Sequence, residues 1–169
     1  KKIILIGAGG HAKSCIDTIE NAHQKLKIHG LIDKRKSDKK LFNYKIIGSD
    51  KDLKSIRKKI RFAFVAVGQI KSPLKRIEIY KNLEKNGYEL PTIISKKAYV
   101  SKYSKIGKGT IVMHGAIINA GVKIGNNCII NSNCIVEHDV IIGNNCHIAS
   151  GASISGNVKI LQNCFVGSN

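Results

Sequence analysis

The chain has 169 residues and a formal net charge of +18, with 29 basic residues against 11 acidic ones. A positive surface attracts anionic ligands, but the lysines are scattered, aromatic residues make up only 5%, and no stacking platform or recognition helix is visible, which disfavours a nucleic-acid partner. Because we find no apolar run of about 18 residues and no signal peptide, we expect a cytoplasmic protein without membrane insertion.

The first 90 residues alternate short apolar runs with helical patterns. The runs that predict strands are residues 2–6, 28–32 and 62–67. The predicted helices are residues 12–25, 49–59 and 73–86. Such alternation is typical of a parallel α/β sheet. Residues 1–90 therefore predict a Rossmann-like half domain that ends near Pro91.

A glycine-rich loop, residues 7–12, separates the first strand from the first helix and has the pattern G-x-G-x-x-A. Its glycines let backbone N–H groups approach an anion at a helix N-terminus, and Asp33 after the second strand can bond a ribose hydroxyl. Gly68 and Gln69 follow the third strand, and ligands of such sheets bind beyond the carboxyl ends of strands. The unit is long enough for one mononucleotide half only, which favours a UDP-linked ligand over NAD.

An aliphatic residue recurs at every sixth position through residues 91–169. These residues are Ile94, Val100, Ile106, Val112, Ile118, Ile124, Ile130, Val136, Ile142, Ile148, Ile154, Ile160 and Val166. No helix or flat strand has this period, whereas three six-residue strands joined by tight corners make one triangular coil. Glycines and asparagines fall where left-handed corners are needed. The pattern predicts a β-solenoid of just over four coils, either catalytic or only a scaffold.

One cluster of titratable residues, Glu137-His138-Asp139, interrupts the repeat. A neighbouring carboxylate orients an imidazole and raises its basicity, which is how a general base is built. His147, nine residues further on, is expected to face the same groove. A zinc site like that of the γ-class carbonic anhydrases is disfavoured, because those proteins place two histidines five residues apart. We expect no metal, and we expect the cysteines to be free and structural.

From end to end, the chain resembles the bacterial nucleotide-sugar acetyltransferases that make N-acetylated 4-amino-4,6-dideoxy sugars, the UDP-N-acetylbacillosamine type. The related sialic acid O-acetyltransferases share the layout. Besides the hexapeptides, the segments that carry the resemblance are residues 6–11, 32–34, 66–68, 137–139 and 156–160. The resemblance implies a left-handed parallel β-helix, a homotrimer, a UDP-sugar held by the N-terminal domain, and acetyl-CoA in the groove between two β-helices.

The resemblance also implies roles for single residues. His138 is expected to take the proton from the sugar amine, Asp139 to raise the basicity of His138, and the N–H of Gly156 to stabilise the oxyanion. His147 and Ser168 match positions that contact coenzyme A. The residues expected to hold the nucleotide sugar are Gly9, Gly10, His11, Asp33, Lys34 and Gly68, with Asn131 orienting the amine.

The resemblance implies an enzyme that moves acetyl from acetyl-CoA to the 4-amino group of a UDP-4-amino-4,6-dideoxy sugar, for bacterial surface glycans or glycoproteins. The acid after His138 favours amine acetylation. A sialic acid O-acetyltransferase and a non-catalytic nucleotide-sugar-binding scaffold are the alternatives. The repeat stops within a hexapeptide at Asn169, so we expect a chain truncated at its carboxyl end, with doubtful activity in that form.

Overall fold

The computed structural model describes residues 1–34 and 40–169. The first part is an α/β unit. Its strands are β1 (Lys2–Ile6), β2 (Lys27–Ile32), β3 (Lys40–Leu41), β4 (Tyr44–Gly48) and β5 (Phe62–Val65). Its helices are α1 (Gly10–Glu20), α2 (Leu53–Arg57) and α3 (Leu74–Lys85), with a 3₁₀ turn (Asp50–Asp52) before α2. The sheet has the order β3-β4-β2-β1-β5 and is parallel except for the β3–β4 hairpin.

The three predicted strands and the parallel sheet are confirmed, but the helix boundaries differ. The helix predicted over residues 12–25 ends at Glu20, because the backbone of the following residues bonds the solenoid: His23 N donates to Ile94 O and Lys96 N donates to Asn21 O. The helix predicted over residues 49–59 is a capped 3₁₀ turn followed by the short α2. The sequence pattern did not predict the β3–β4 hairpin, which is short, lysine-containing and at the sheet edge.

The second part is a solenoid of thirteen two-residue strands, β6–β18. In chain order they are Ile93–Ile94, Tyr99–Val100, Lys105–Ile106, Ile111–Val112, Ile117–Ile118, Lys123–Ile124, Ile129–Ile130, Ile135–Val136, Ile141–Ile142, His147–Ile148, Ser153–Ile154, Lys159–Ile160 and Phe165–Val166. Every third strand pairs in parallel, which gives three flat sheets around one core. This architecture is the predicted left-handed parallel β-helix.

The three sheets have different outer surfaces. The first residue of each strand points outward, and the second points into the core. We name the sheet of β6, β9, β12, β15 and β18 the docking face, that of β7, β10, β13 and β16 the apolar face, and that of β8, β11, β14 and β17 the lysine face. The lysine face takes its name from Lys105, Lys123 and Lys159.

Tight corners join the strands, and most of these corners contain one residue with left-handed backbone. Positive φ occurs at glycines such as Gly109 and Gly115, and at a series of asparagines that includes Asn127 and Asn145. The Nδ2 of Asn127 donates to Oδ1 of Asn145 at 2.9 Å, so equivalent corners of successive coils are also hydrogen-bonded. Glycine and asparagine adopt this conformation at low cost, and they occupy these positions as predicted. The prediction is wrong for glycines that directly follow a strand, such as Gly107, Gly125 and Gly143, which do not have positive φ.

Helix α1 packs on the docking face. The outward side chains Ile93, Ile111 and Ile129 share one apolar cluster with Cys15 and Ile16 of α1, and all five are buried. The α/β unit therefore covers this face, and the corner between the apolar and lysine faces lies opposite it. Among the described helices, none has the length and apolar composition needed to cross a membrane. The predicted domain boundary at residue 90 stays a prediction.

Candidate active site

The glycine-rich loop lies tightly against the end of β5. Gly7 has a φ of +112°, and a Cβ at this position would lie 2.8 Å from Cγ2 of Val67. Ala8 N donates to Oδ2 of Asp33 at 3.0 Å, so the acid after β2 fixes the loop. At Gly9 and Gly10, where α1 begins, a Cβ would meet no atom within 4 Å. The N-terminus of α1 is consequently open to an anion.

A cleft of about 250 Å³ lies beside this loop, at the carboxyl ends of the parallel strands. Its floor includes Gly7 and Val67, and its charged lining includes Asp33, Lys34 and Lys75. The cleft brings the predicted Asp33 and Lys34 together with the loop. Lys75, in the first turn of α3, was not predicted, because a lysine on a surface helix carries no local signal of a ligand.

His11 and Gly68 are in contact at the end of the same loop. A Cβ on Gly68 would lie 3.3 Å from the Cβ of His11, so the imidazole packs over the glycine. Burial lowers the pKa of His11 to about 3, and the nearby Arg76 and His147 act in the same direction. The imidazole is therefore neutral at neutral pH. Its Nε2 is buried and has no hydrogen-bond partner within residues 1–34 and 40–169.

His147 lies under the α/β unit, on the docking face, with 6% of its surface exposed. Its Nδ1–H donates to the carbonyl of Gln69 at 2.5 Å, and its Nε2 lies 3.2 Å from the amide nitrogen of Asn131. The expectation that His147 faces the same groove as His138 in one chain is wrong, because His138 lies at the opposite corner. The predicted contact of His147 with coenzyme A stays a prediction.

His138 and Asp139 form the corner between β13 and β14. Nδ1 of His138 lies 3.0 Å from Oδ2 of Asp139, and both side chains are 60% exposed. A carboxylate at this distance accepts the Nδ1 proton, which leaves Nε2 with its lone pair. Asp139 has a φ of +60°, in a corner position that Gly121 and Asn157 occupy in the neighbouring coils. The corner geometry and the carboxylate together orient the imidazole.

Gly156 lies one coil beyond His138. A Cβ at Gly156 would lie 2.7 Å from Nε2 of His138, so only glycine leaves room beside this nitrogen. The space is where an acceptor and a thioester must meet if Nε2 acts as a base. Ser168 is exposed after β18, five strands further along the chain than the His138 corner.

The predicted site residues fall into two groups within one chain. The glycine-rich loop, the charged cleft and His147 belong to the α/β unit and the docking face it covers. His138, Asp139 and Gly156 belong to the opposite side of the β-helix. Linear spacing could not reveal this division, because it depends on which face α1 covers.

The cysteine thiols belong to neither of these two groups of site residues. Four of the five cysteines are buried, all five are free, and burial raises the pKa of Cys134 to about 12, as expected for structural thiols. Within the described ranges, His, Cys, Asp and Glu side chains do not gather in threes in an arrangement that could hold a metal ion.

Two protein families match successive parts of the chain. The PglD N-terminal domain matches residues 2–83. The bacterial transferase hexapeptide (six repeats) matches residues 103–138 and 121–156. The curated proteins include no match.

Several solved structures share the fold. A histidine-to-asparagine mutant of perosamine N-acetyltransferase from Caulobacter crescentus, in complex with CoA and GDP-perosamine, is 28% identical with a TM-score of 0.87, over 94% of this chain and 73% of that one. The acetyltransferase domain of PglB from Neisseria gonorrhoeae, in complex with acetyl coenzyme A, is 29% identical with a TM-score of 0.86, over 99% and 79%. WeeI from Acinetobacter baumannii, at 24% identity and a TM-score of 0.85, shares the fold.

Three observations point to the same class of protein: the family matches, the neighbours above 25% identity, and the shared two-part architecture. The chain combines a PglD N-terminal domain with bacterial transferase hexapeptide repeats, and it resembles the acetyl-CoA-dependent sugar N-acetyltransferases that share this architecture.

Proposed function

We propose that the protein transfers acetyl from acetyl-CoA to the 4-amino group of a UDP-4-amino-4,6-dideoxy sugar, with His138 as the general base. The observation that carries this proposal is the geometry around His138. Its Nδ1 is held by Asp139, and its Nε2 faces the space that Gly156 leaves open. An exposed and oriented imidazole whose Nε2 faces the reacting groups is what removal of an amine proton requires.

The reaction needs no covalent intermediate on the enzyme. The amine nitrogen attacks the thioester carbon, its new C–N bond forms, and Nε2 of His138 takes the proton that the nitrogen loses. The backbone N–H of Gly156 stabilises the negative charge on the thioester oxygen. When the C–S bond breaks, the imidazolium returns the proton to the leaving sulfur, which departs as coenzyme A. Binding both substrates in one groove supplies much of the rate.

The division of the site implies that two protomers share each reaction. A nucleotide sugar in the cleft of one chain lies on the docking-face side, away from the His138 corner of that chain. We propose a homotrimer in which the cleft and Asn131 of one protomer face His138 and Asp139 of the next. The apolar face offers a surface for this assembly, since Tyr99 is 59% exposed and Ile117 is 37% exposed.

The charged groups of the cleft favour a ligand with a diphosphate. Lys34, Lys75 and the open N-terminus of α1 suit the two phosphates of a nucleoside diphosphate. A cleft of about 250 Å³ suits a single nucleotide better than a dinucleotide. We propose UDP as the nucleotide on the basis of the sequence. The perosamine N-acetyltransferase of known structure, in contrast, binds a GDP sugar. We propose a cytoplasmic reaction, which suits the free thiols of the chain.

Release of coenzyme A thiol tests the proposal. The protein is mixed with acetyl-CoA and one acceptor: a UDP-4-amino-4,6-dideoxy sugar, GDP-perosamine, or a sialic acid. Turnover with the UDP amino sugar supports the full proposal. Turnover with GDP-perosamine alone keeps amine acetylation and rejects the uracil base, whereas turnover with sialic acid alone rejects amine acetylation. Binding of the nucleotide sugar without turnover of any acceptor would make the protein a scaffold.

A further inference from the structure

A fully buried arginine lies between the nucleotide cleft and the β-helix. Arg76, in α3, is 0% exposed and is the largest fully buried side chain among the described residues. Its Nη1 donates to the carbonyls of Val65 and Val67, each at 2.8 Å, and its Nε donates to the carbonyl of Asn127 at 3.2 Å. One side chain thus ties the end of β5 to a corner of the β-helix.

The charge of Arg76 has no anionic partner in the part of the chain that the structure describes. Its hydrogen bonds go to neutral carbonyls, and its Nη2 is buried without a partner there. Burial lowers the pKa of Arg76 to about 10, so the guanidinium stays charged at neutral pH. The neighbouring thiol of Cys15 is neutral, since burial raises its pKa to about 12. A buried charge without a counter-ion is costly, even with three carbonyl acceptors and with the Phe64 ring centroid 5.9 Å from the guanidinium carbon.

The groups that Arg76 holds form the back of the cleft. Val67 lines the cleft and contacts Gly7, where a Cβ would lie only 2.8 Å from the valine side chain. Gly68, next in sequence, supports His11 of the glycine-rich loop. A displacement of the end of β5 would therefore move the loop at two points.

Gln69, which follows Gly68 in sequence, connects the end of β5 to the β-helix. The carbonyl of Gln69 accepts the Nδ1 proton of His147, and Nε2 of Gln69 donates to the carbonyl of Asn145 at 2.8 Å. His147 in turn contacts the amide of Asn131. Burial lowers the pKa of His147, and the Arg76 charge acts in the same direction, which keeps its Nε2 an acceptor for that amide.

We propose that Arg76 is a positioning residue for the reaction: it fixes the end of β5 between cleft and β-helix, and it places an unpaired positive charge behind the diphosphate site. The inference rests on the proposed binding of a nucleotide sugar in the cleft. It explains why a cation occupies a buried position that contacts only neutral groups. The anion that the charge favours is the diphosphate of the ligand.

The test compares three variants by calorimetric binding of UDP and of GDP and by steady-state kinetics. Arg76→Met removes the charge at similar length, Arg76→Lys keeps the charge without the forked donors, and Arg61→Met is the control at an exposed arginine. We expect Arg76→Met to weaken nucleoside diphosphate binding roughly tenfold and to raise KM for the nucleotide sugar similarly. KM for acetyl-CoA should change less than about twofold.

Diphosphate binding by Arg76→Lys distinguishes a role of the positive charge from a purely structural role of the arginine hydrogen bonds. We expect Arg76→Lys to bind the diphosphate within about threefold of the wild type, even if its Tm falls. A folded Arg76→Met protein with wild-type diphosphate affinity would overturn the proposal. If that variant does not fold, a folded Arg76→Lys protein that has lost diphosphate binding would overturn it. A wild-type protein that binds neither diphosphate would instead reject the proposed function itself.

Discussion

At the scale of single residues, the candidate base depends on two neighbours with different origins. Asp139 is adjacent in sequence and lies 3.0 Å from Nδ1 of His138. Gly156 comes from the next coil and leaves the other nitrogen, Nε2, accessible. The first contact could be predicted from the sequence, and the second follows from the stacking of coils eighteen residues apart.

His138→Ala should lower kcat by roughly a hundredfold or more, because a positioned base contributes about 10² to 10⁴-fold. KM for the nucleotide sugar should change less than about twofold, since the cleft lies elsewhere in the chain. Thiol-release kinetics measure both constants. His29→Ala, at an exposed histidine of β2, is the control. Unchanged kcat in His138→Ala would remove His138 from the mechanism.

Asp139 can be tested without disturbing its corner. Asn occupies equivalent left-handed corners at Asn133 and Asn157, so Asp139→Asn should keep the Tm within about 2 °C. The loss of the carboxylate should lower kcat about tenfold, because an amide can donate to Nδ1 and no longer holds the proton on that nitrogen. Asp139→Ala should also lose stability, since alanine disfavours positive φ. Equal kcat in wild type and Asp139→Asn would show that the carboxylate charge has no catalytic role.

At the scale of elements, the corners of the β-helix carry both the fold and the site. Glycine and asparagine at the corners allow the chain to turn, and one coil carries the His138-Asp139 pair at the corner where its neighbours have Gly121 and Asn157. The strands could be predicted because each repeats the same local pattern. The β3–β4 hairpin and the end of α1 could not, because pairing at a sheet edge and bonding to the β-helix determine them.

Gly156→Ala should abolish most activity while leaving the β-helix intact. The new methyl would lie 2.7 Å from Nε2 of His138, so the ring must shift away from the reacting groups. We expect kcat to fall roughly a hundredfold, as displacement of a catalytic group commonly does. Ser155→Ala is the control, because it changes the exposed neighbouring residue without adding an atom beside His138. Equal kcat for both variants would contradict the role of this space.

At the scale of the whole molecule, the α/β unit covers one face of the β-helix and the base lies on the opposite corner. This arrangement argues for a reaction shared between protomers. The apolar face, with Tyr99 and Ile117 exposed, provides a surface for association.

Mixed trimers test the shared site. His138→Ala removes the base, and Gly9→Asp places a negative charge at the N-terminus of α1, in open space where the diphosphate is expected. Each variant alone should be nearly inactive. After unfolding and reassembly in equal amounts, about a quarter of the sites should combine an intact cleft with an intact base, and activity should return to roughly that fraction. Inactive mixed trimers would place cleft and base in one protomer.

The sequence by itself determined what depends on neighbours along the chain. The six-residue period defines the coils, the glycine-rich loop defines the start of α1, and Asp139 next to His138 defines the candidate base, because each rests on local geometry. Only the tertiary structure decided which face α1 covers, that His147 lies away from His138, and that Arg76 is buried behind the cleft. These features come from packing between residues far apart in sequence, which no local pattern specifies.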